Sequence, residues 1–529
     1  MHVFSFLCRV ITDRTKRLAR EPLLFWALVL VHLLPVFAAH WFVTLDGPCH
    51  LYSARIVKDL LLGDAFMGGF FHLSTFPEPY WTGHAIMALG LLVFPAWVVE
   101  KFIFSLAIVG LAWAFRYFIR TIAPHRTWVA LLVMPFLLHY ALRLGFLNFS
   151  LSLPLYFVAL ALVWRGAENG RMRTVPLAAV LALLYFTHLF TFVLGVATIV
   201  ALLTWTSILK WRTDRALIPA MLVSFAIAVA LPLNLTVAYL ATHNTLEVAS
   251  VHASFSDLLQ WAGEGRAWNG LGNEGESLAC TLTALPIFLA GIAALVVRVI
   301  ALRNSKVSSI DFWPLLAVAG LVGYFILPDA MAGGTSASPR MLLFAMFFWA
   351  TWIAVAPLPK WALVVAVFAV VVVDLVHTRI QYRSSAHLGM ELTEYLGIEN
   401  ALEDRSVLLP VNHSSNWMHS NFSNYLGMGA ERVVVLDHFT ALAPFNPEQW
   451  NTDRLPHEAI GNFSTSNMPC VRLAGYAEKT GANVDLVLRW KANAIEPDSC
   501  AADLTRQLEQ GFVLAASSAN GDAQLFRKR

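Results

Sequence analysis

The sequence predicts a polytopic α-helical membrane protein with a C-terminal extracytoplasmic domain of mixed α/β structure. Of its 529 residues, 58% are hydrophobic and only 13% are charged, whereas soluble proteins carry roughly 25% charged residues. Long apolar runs recur between residues 22 and 377, and the composition becomes mixed from residue 379 onward. Most of the chain is therefore expected to be solvated by lipid.

A membrane-spanning helix needs about 20 mostly apolar residues, and roughly ten to twelve segments approach that requirement. They define a membrane module, residues 1–378, which precedes a soluble domain, residues 379–529. The candidate spans are 22–44, 82–99, 102–119, 127–142, 149–164, 175–188, 190–209, 216–241, 278–300, 312–328, 341–357 and 361–377.

The distribution of Lys and Arg predicts the orientation of these spans, because short cytoplasmic loops are enriched in both residues. The basic N-terminal block precedes a span longer than the apolar part of a signal peptide, which predicts a retained anchor with a cytoplasmic N-terminus. We expect a protein of the bacterial inner (cell) membrane. The basic loops 165–173, 210–215 and 298–306 are predicted to be cytoplasmic, and the loops 45–81, 242–277 and 329–339 and the domain 379–529 to be extracytoplasmic (periplasmic).

The early spans present a parity conflict. Five full crossings between residues 22 and 164 would place the basic loop 165–173 outside. One early segment is therefore expected to cross only in part. The segments 102–119 and 127–142, which the basic stretch RYFIRTIAPHR joins, are the best candidates.

Short β-branched runs predict strands in the C-terminal domain. The strand candidates are SVLLPVN, RVVVLDHF and VDLVLRW; QYRSSAHLGMELTEYLGIENALEDR and AADLTRQLEQGFVLAASS are predicted as helices, and VRLAGYAEKTG as a strand or loop. Cys470 and Cys500 both fall in this domain, so its export predicts a disulfide between them; two buried free thiols are the alternative. The five Cys form no CxxC pair, which argues against a zinc site.

The most informative polar segment is TLDGPCHLYSARIV, which begins at Thr44 directly after the first apolar run. It brings Asp46, His50 and Arg55 to the predicted mouth of the first span. The helical spacing of LYSARIVKDLLL predicts an amphipathic helix on the membrane surface. Asp46 is either the N-cap of that helix or a partly desolvated carboxylate that acts as a general base, with His50 on the same side.

Other polar residues are predicted on the outer side or at membrane depth. Glu78 is a second candidate acid, and a solvated turn residue is its alternative. Arg143 and Asn148 lie between two spans. His188 lies between two apolar halves, where an ionisable group is costly and is a functional candidate; a neutral His hydrogen-bonded between helices is the alternative.

The outer loop LPDAMAGGTSASPRMLLF contains Arg340 where a helix re-enters the membrane after Gly333 and Gly334. A glycine-rich loop before a helix N-terminus suits an anion, and the Arg guanidinium matches a phosphate. An Arg that reaches toward the lipid headgroups is the alternative. Loop 242–277 lacks HExxH-type spacing, so a metal is not supported, and the net charge of +3 does not indicate a nucleic-acid partner.

This arrangement resembles the GT-C superfamily of integral membrane glycosyltransferases, in which a long first outer loop that begins with an acid follows the first span. The resemblance implies a polyprenyl-phosphate sugar as the donor, a glycan, lipid or protein acceptor, and reaction at the outer face of the bilayer. Carried over residue by residue, it implies that Asp46 is catalytic and that Arg340 contacts the donor phosphate. No cofactor is expected.

The chain also departs from that family. The next outer loop, RLGFLNFS, contains Asn148 where the family often has a second acid, and no WWD-type acceptor motif occurs. We therefore expect metal-independent inverting transfer rather than an oligosaccharyltransferase-like mechanism. A polyprenyl-linked glycan transporter or export component is the alternative, although paired broken helices and repeats are not evident. A polymerase or ligase would need paired Arg in a large outer loop, where 242–277 has only Arg266.

Overall fold

The structure is a computed structural model that describes residues 17–211, 213–243, 250–330, 334–456, 460–462, 470–491 and 499–529. The predictions that concern Cys8, Arg14, Lys16 and Gly333 lie outside these residues. The helices of eight or more residues are α1 (Arg17–Leu33), α2 (Gly47–Leu61), α3 (Trp81–Gly90), α4 (Ala96–Ile122), α5 (Leu147–Asn169), α6 (Thr174–Thr187), α7 (Leu189–Lys210), α8 (Leu217–Thr242), α9 (Phe255–Gly263), α10 (Glu276–Leu302), α11 (Phe312–Ile326), α12 (Ala337–Val355), α13 (Lys360–Tyr395), α14 (Leu473–Thr480) and α15 (Ser499–Gly511).

The predicted membrane architecture is confirmed within the described residues. Eight helices are long and apolar enough to cross a membrane, namely α4, α5, α7, α8, α10, α12, α13 and α11 with the 3-10 turn Ser309–Asp311 that precedes it, and the apolar helices Glu21–Phe37 and Thr174–Thr187 are shorter. The first helix ends earlier than the predicted 22–44, because Pro35 lies in the short 3-10 helix that follows Leu33.

The prediction of a separate span at 82–99 was wrong. Helix α3 ends at Gly90, and α4 begins at Ala96 directly after Pro95, a residue that has no N–H to continue a helix and is favoured at its start. The region therefore contains one membrane-spanning helix, α4, where two were predicted, because the 10-residue helix α3 is too short to span.

Without a separate span at 82–99, loop 165–173 stays on the predicted cytoplasmic side if the other four early segments cross, and the partial crossing at 102–119 or 127–142 stays a prediction. Residues 102–119 belong to the 27-residue helix α4. Most of 127–142 lies in the 3-10 segment Pro124–Phe136, which is kinked at Arg126 and contains Pro135.

The chain divides into two compact units that do not follow chain order. The first comprises Met1–Val36, Phe104–Arg143 and Asn148–Ser384, and the second comprises Phe37–Ile103, Leu144–Leu147 and Ser385–Arg529. The loop 45–81 thus belongs to the same unit as the C-terminal residues. Helix α13, at 36 residues or about 54 Å, also continues through the predicted boundary at 378, so the predicted helix from Gln381 is its extension. The division into domains 1–378 and 379–529 stays a prediction.

The core of the first unit surrounds α12, which is buried along almost its whole length. The indole N–H groups of Trp349 and Trp352 donate to the carbonyl groups of Ile287 (3.2 Å) and Gly291 (3.2 Å) in α10. Gly291 leaves no room for a Cβ beside the Trp349 ring. These indole hydrogen bonds satisfy polar atoms that lipid cannot.

The second unit is built on a five-stranded mixed sheet. Its order is β3-β2-β7-β9-β8, in which β3, β2 and β7 are parallel and β9 and β8 are antiparallel to their neighbours. The strands are β2 (Ser406–Asn412), β3 (Val433–Val435), β7 (Leu486–Trp490), β8 (Phe512–Ser517) and β9 (Ala523–Lys528), and two small antiparallel pairs join β1 (Phe71–Leu73) to β4 (Glu448–Trp450) and β5 (Gly461–Asn462) to β6 (Cys470–Val471).

The three predicted strands of the C-terminal domain are confirmed, but two other predictions there were wrong. LAGYAEKT forms α14, and the FVLAAS part of the last predicted helix forms β8. Cys470 and Cys500 form a disulfide, with a Cα–Cα distance of 4.8 Å.

Helix α2 is not a surface helix. Ten of its 15 residues are buried, because it packs against α3 and against the 3-10 segment Phe422–Met428. Gly427 in that segment has no room for a Cβ beside the ring of Tyr52, and the Tyr52 hydroxyl donates to the carbonyl of Val433 (2.7 Å). The helical spacing predicted one apolar face for α2, but other segments of the protein also pack against its opposite face.

Candidate catalytic and phosphate-binding residues

The backbone of Asp46 is fixed by a second segment of the same unit. Its N–H donates to the carbonyl of Leu144 (2.9 Å), and Gly145 follows with a φ of +81°. A Cβ on Gly145 would lie 2.8 Å from the nitrogen of Asp46, so only glycine fits this approach. The segment Leu144–Leu147 therefore sets where the carboxylate of Asp46 begins.

Asp46 is not the side-chain cap of α2. It occupies the N-cap position but has helical backbone angles, and its carboxylate makes no capping hydrogen bond to the helix. The hydroxyl oxygen of Thr44 accepts the Gly47 N–H instead (3.1 Å). The capping function that could have explained an acid at this position belongs to another residue.

The Asp46 carboxylate is held by the side chain of Asn421. Nδ2 of Asn421 donates to Oδ1 of Asp46 (3.2 Å) and to the carbonyl of Leu45 (2.9 Å). Both acceptors lack a hydrogen, so the nitrogen of the amide must face them. Asn421 is 7% exposed, and Asp46 is half-buried. A donor to a carboxylate favours its ionised form.

His50, one turn after Asp46, is paired with an imidazole that the sequence did not single out. Nδ1 of His50 lies 3.1 Å from Nε2 of His84, and Nδ1 of His84 lies 2.9 Å from the carbonyl of Tyr80. A carbonyl only accepts, so in the neutral pair His84 donates from Nδ1 and His50 donates to His84. Burial, followed by the charges of His84 and His438, holds the pKa of His50 well below its usual range. His50 is thus neutral, with its lone pair on Nε2.

A second carboxyl group, Asp437, follows strand β3 in this unit. The Ser423 hydroxyl lies 2.9 Å from Oδ1 and 2.8 Å from Oδ2 of Asp437. Burial raises the pKa of Asp437 to about 7, and the Ser423 hydroxyl opposes that rise only in part. The sequence offered one signal for this residue, an acid at the carboxyl end of the run VVVL, and our sequence analysis missed it.

Two other sequence candidates of this unit are engaged in the protein. Glu78 is 1% exposed and accepts a hydrogen bond from the Ser74 hydroxyl (3.0 Å), so its interpretation as a solvated turn residue was wrong. Arg55 donates to Oδ2 of Asp59 (2.6 Å) and to the carbonyl of Gly429 (3.0 Å). These contacts account for the position of Arg55 without a ligand.

In the first unit, Arg340 belongs to a cluster of basic side chains around the ring of Phe149. The Arg340 guanidinium carbon lies 5.2 Å from the ring centroid, within the range of a cation–π contact. The ring centroids of His139 and His188 lie 5.8 Å and 5.3 Å from the centroid of the same phenyl ring. The positive charge of Arg340 disfavours protonation of both imidazoles. Three nitrogen-bearing side chains thus surround one aromatic ring.

His188 has a local structural task as well. Its Nδ1 accepts the N–H of Thr191 (3.3 Å) and caps α7. This cap fixes the proton of a neutral His188 on Nε2. Because Thr191 belongs to the helix that His188 caps, this contact does not test the alternative of a neutral His hydrogen-bonded between helices, which stays a prediction.

The N-terminus of α12 does not offer free N–H groups at its first residues. The N–H of Ala337 donates to the carbonyl of Asp329 (2.9 Å), and the N–H of Ser338 donates to its carboxylate (3.1 Å). These two N–H groups are therefore not available to an anion, and the expectation of an anion at the glycine-rich loop stays a prediction for its other backbone groups. Any role in anion binding at this helix rests on the Arg340 side chain.

Arg143 and Asn148 are both buried, at 0% and 5% exposure. Burial lowers the pKa of Arg143 to about 10. The negative charge of Glu276 opposes that change, because it stabilises the protonated guanidinium. Glu276 itself accepts the N–H groups of Gly270 (2.7 Å) and Asn273 (3.0 Å). Glu276 lies at the end of loop 242–277, and its sequence context carries no motif that indicates this organising function.

Among the residues that the structure describes, no group of three or more His, Cys, Asp or Glu side chains is arranged to hold a metal ion. No family model matches the chain, and no curated protein sequence matches it. The chain is similar in structure to ArnT from Cupriavidus metallidurans, in a crystal structure with undecaprenyl phosphate bound. The TM-score is 0.53 at 11% identity, over 95% of this chain and 97% of that chain. The predicted GT-C-like fold is confirmed by this similarity.

Proposed function

We propose that the protein is a membrane glycosyltransferase that moves a sugar from a polyprenyl-phosphate donor to an acceptor hydroxyl. Asp46 is the general base, and Arg340 binds the donor phosphate. The fold similarity to a protein with bound undecaprenyl phosphate supports the donor class, and the apolar helices suit a lipid-linked substrate. Glycan, lipid and protein acceptors all supply the hydroxyl that this chemistry requires.

The observation that carries the proposal is the state of the Asp46 carboxylate. It does not cap its helix, since Thr44 provides that contact, and Asn421 holds its Oδ1. An amide donor favours the ionised form of a half-buried carboxylate, and that form can accept a proton from a hydroxyl. The neutral His50 on the same turn suits an orienting role, because its Nε2 can accept a hydrogen bond from a substrate hydroxyl.

The basic cluster around Phe149 supports phosphate binding. Arg340 supplies a permanent positive charge, and two imidazoles of the same cluster, His139 and His188, are next to it. A phosphate that gains charge as the sugar leaves is stabilised by such a fixed cation. Arg143, which precedes α5, and Asn148, which lies in its first turn, are proposed as further substrate-binding residues. Glu78 is proposed as a second acid.

The proposed transfer forms one bond and breaks one. The acceptor oxygen attacks the anomeric carbon while its proton passes to Asp46. The bond between the anomeric carbon and the phosphate oxygen breaks, and the electron pair leaves with the polyprenyl phosphate, whose charge Arg340 stabilises. Attack opposite the leaving group inverts the anomeric configuration.

The first test compares two identical substitutions in the first outer loop. Purified protein is incubated with a panel of short polyprenyl-phosphate sugars and candidate acceptors, and released polyprenyl phosphate is measured. Asp46→Asn is expected to abolish release with little change in Tm. Asp64→Asn is the control, since Asp64 caps a short helix through Phe66 and Met67, a contact that Asn also makes. Full release by a folded Asp46→Asn protein would exclude Asp46 as the base.

The second test concerns the phosphate. Native mass spectrometry measures retention of polyprenyl phosphate by wild type, Arg340→Ala and Arg266→Ala. Arg266 is a matched control, because its guanidinium also stacks on aromatic rings, at 4.2 Å from Trp261. Retention is expected to fall only in Arg340→Ala. Lipid binding without any sugar release by wild type would favour a transporter instead.

A further inference from the structure

The C-terminal residues of the second unit contribute two side chains that bond carboxyl groups, one of which is that of Asp46. Asn421 and Ser423 lie two positions apart, at the start of the 3-10 segment Phe422–Met428. Asn421 bonds the carboxylate of Asp46, and Ser423 bonds the carboxylate of Asp437. One three-residue stretch therefore holds two carboxyl groups that come from distant parts of the chain.

The two carboxyl groups also share a neighbour. Burial raises the pKa of the Cys49 thiol, and the charges of Asp46, Asp437 and Glu448 raise it further. Cys49 lies on the first turn of α2, beside the backbone of Asp46. Asp46 and Asp437 both influence Cys49 and are both hydrogen-bonded by the stretch Asn421–Ser423. These two observations indicate that the two carboxyl groups belong to one site.

Asp437 has capacity for a further hydrogen-bond donor. A carboxylate offers about four lone-pair positions, and within the described residues the Ser423 hydroxyl is its one side-chain donor. A buried carboxylate with so few donors is costly, and such groups concentrate at functional sites. A hydroxyl or amino group of a sugar would satisfy it.

We propose that Asn421 and Asp437 complete the site of Asp46. Asn421 is a positioning residue that orients the base and keeps it ionised. Asp437 binds a hydroxyl or amino hydrogen of the substrate sugar. The C-terminal part of the chain therefore builds part of the catalytic centre. This inference rests on the proposed transferase function.

The test uses the full-length protein with the panel of short polyprenyl-phosphate sugars. Release of polyprenyl phosphate is followed against pH for wild type, Asn421→Ala and Asp437→Asn. Loss of the amide donor is expected to move the acid limb of the profile upward, on the order of one pH unit, in Asn421→Ala alone. Asn446→Ala is the control, since Asn446 is also buried and donates to a backbone carbonyl, that of Thr440 (2.6 Å). An unmoved acid limb in Asn421→Ala would overturn the positioning role.

Asp437→Asn is tested by binding. Native mass spectrometry compares retention of the sugar lipid with that of sugar-free polyprenyl phosphate. A loss of the preference for the sugar lipid, about tenfold for one charged hydrogen bond, assigns the bound hydrogen to the donor sugar. An unchanged preference with a tenfold lower kcat/KM for the acceptor assigns it to the acceptor. If neither changes, the role of Asp437 is overturned.

A measurement independent of activity separates this inference from the proposed function. The Tm values of Asp46→Asn, Asn421→Ala and the double variant form a cycle, and contacting residues are expected to be non-additive. Additive changes in Tm would exclude the Asn421 contact even if no substrate were turned over. If wild type releases no polyprenyl phosphate but the cycle is non-additive, the proposed function fails and the contact stands.

Discussion

Nδ2 of Asn421 lies 3.2 Å from Oδ1 of Asp46, although 375 residues separate them in the chain. The proposed base therefore depends on a residue that no local motif contains. A second long-range contact fixes the same residue, because the N–H of Asp46 donates to the carbonyl of Leu144 (2.9 Å). The backbone and the side chain of Asp46 are thus set by two different segments, and each contact can be tested separately.

Gly145→Ala is expected to displace Asp46. The φ of +81° disfavours a side chain, and the added Cβ would lie 2.8 Å from the Asp46 nitrogen. A displacement on the order of 1 Å at a catalytic group costs about 10²-fold in rate, so sugar release should fall by that order while Tm also falls.

The control is Gly481→Ala, at the C-terminus of α14. Gly481 has a φ of +72°, and a Cβ there meets nothing within 4 Å. Its cost is the backbone strain alone, about 1–2 kcal/mol, with no loss of activity. Equal losses of activity in both variants would contradict a specific effect on Asp46.

Asp437→Asn is expected to change how stability depends on pH. The pKa of Asp437 is raised from 3.8 to about 7 in the folded protein, so its contribution to stability is complete below pH 3.8 and is lost as the pH rises to about 7. An Asn at position 437 cannot ionise, so the variant does not lose stability over this pH range through this position. The unfolding free energy of the variant relative to wild type should therefore be larger at pH 8 than at pH 5, by on the order of 2 kcal/mol.

Thermal unfolding at the two pH values measures this difference, with Asp404→Asn as the control. Hydrogen bonds from Arg432 lower the pKa of the exposed Asp404 to about 2, so its contribution is lost only as the pH falls toward that value. Its substitution should change Tm equally at pH 5 and pH 8. The same pH-independent change in Asp437→Asn would exclude a raised pKa.

Hydropathy predicted the membrane helices well, because burial in lipid demands long apolar runs whatever the tertiary contacts are. Where the predicted elements differ from the observed ones, a local residue or pairing with neighbouring strands determined the structure. Pro95 divided the run 82–99, which hydropathy alone reads as continuous. β9, in QLFRK, lacks a β-branched run and forms because β7 and β8 pair with it on both sides.

The candidate site was predictable only in part. Asp46 was identified from its position after an apolar run and from a family resemblance. Whether it caps α2 depended on Thr44 and could not be read from the sequence, since both residues are good caps. His84, Asn421 and Ser423 carry no motif, and only the folded chain brings them to their partners.

Removing the disulfide is expected to destabilise the second unit without abolishing transfer. Cys470 and Cys500 are 30 residues apart, and a cross-link over such a loop stabilises a protein by about 3 kcal/mol, mainly by constraining the unfolded chain. The bond joins β6 to the start of α15, and neither cysteine belongs to the proposed site. Cys470→Ser, Cys500→Ser and the double variant should therefore lose the same amount of stability, because each removes the same bond.

A reducing agent should lower the Tm of wild type to that of the variants and leave the variants unchanged. A further fall in the variants would show that reduction acts elsewhere in the chain.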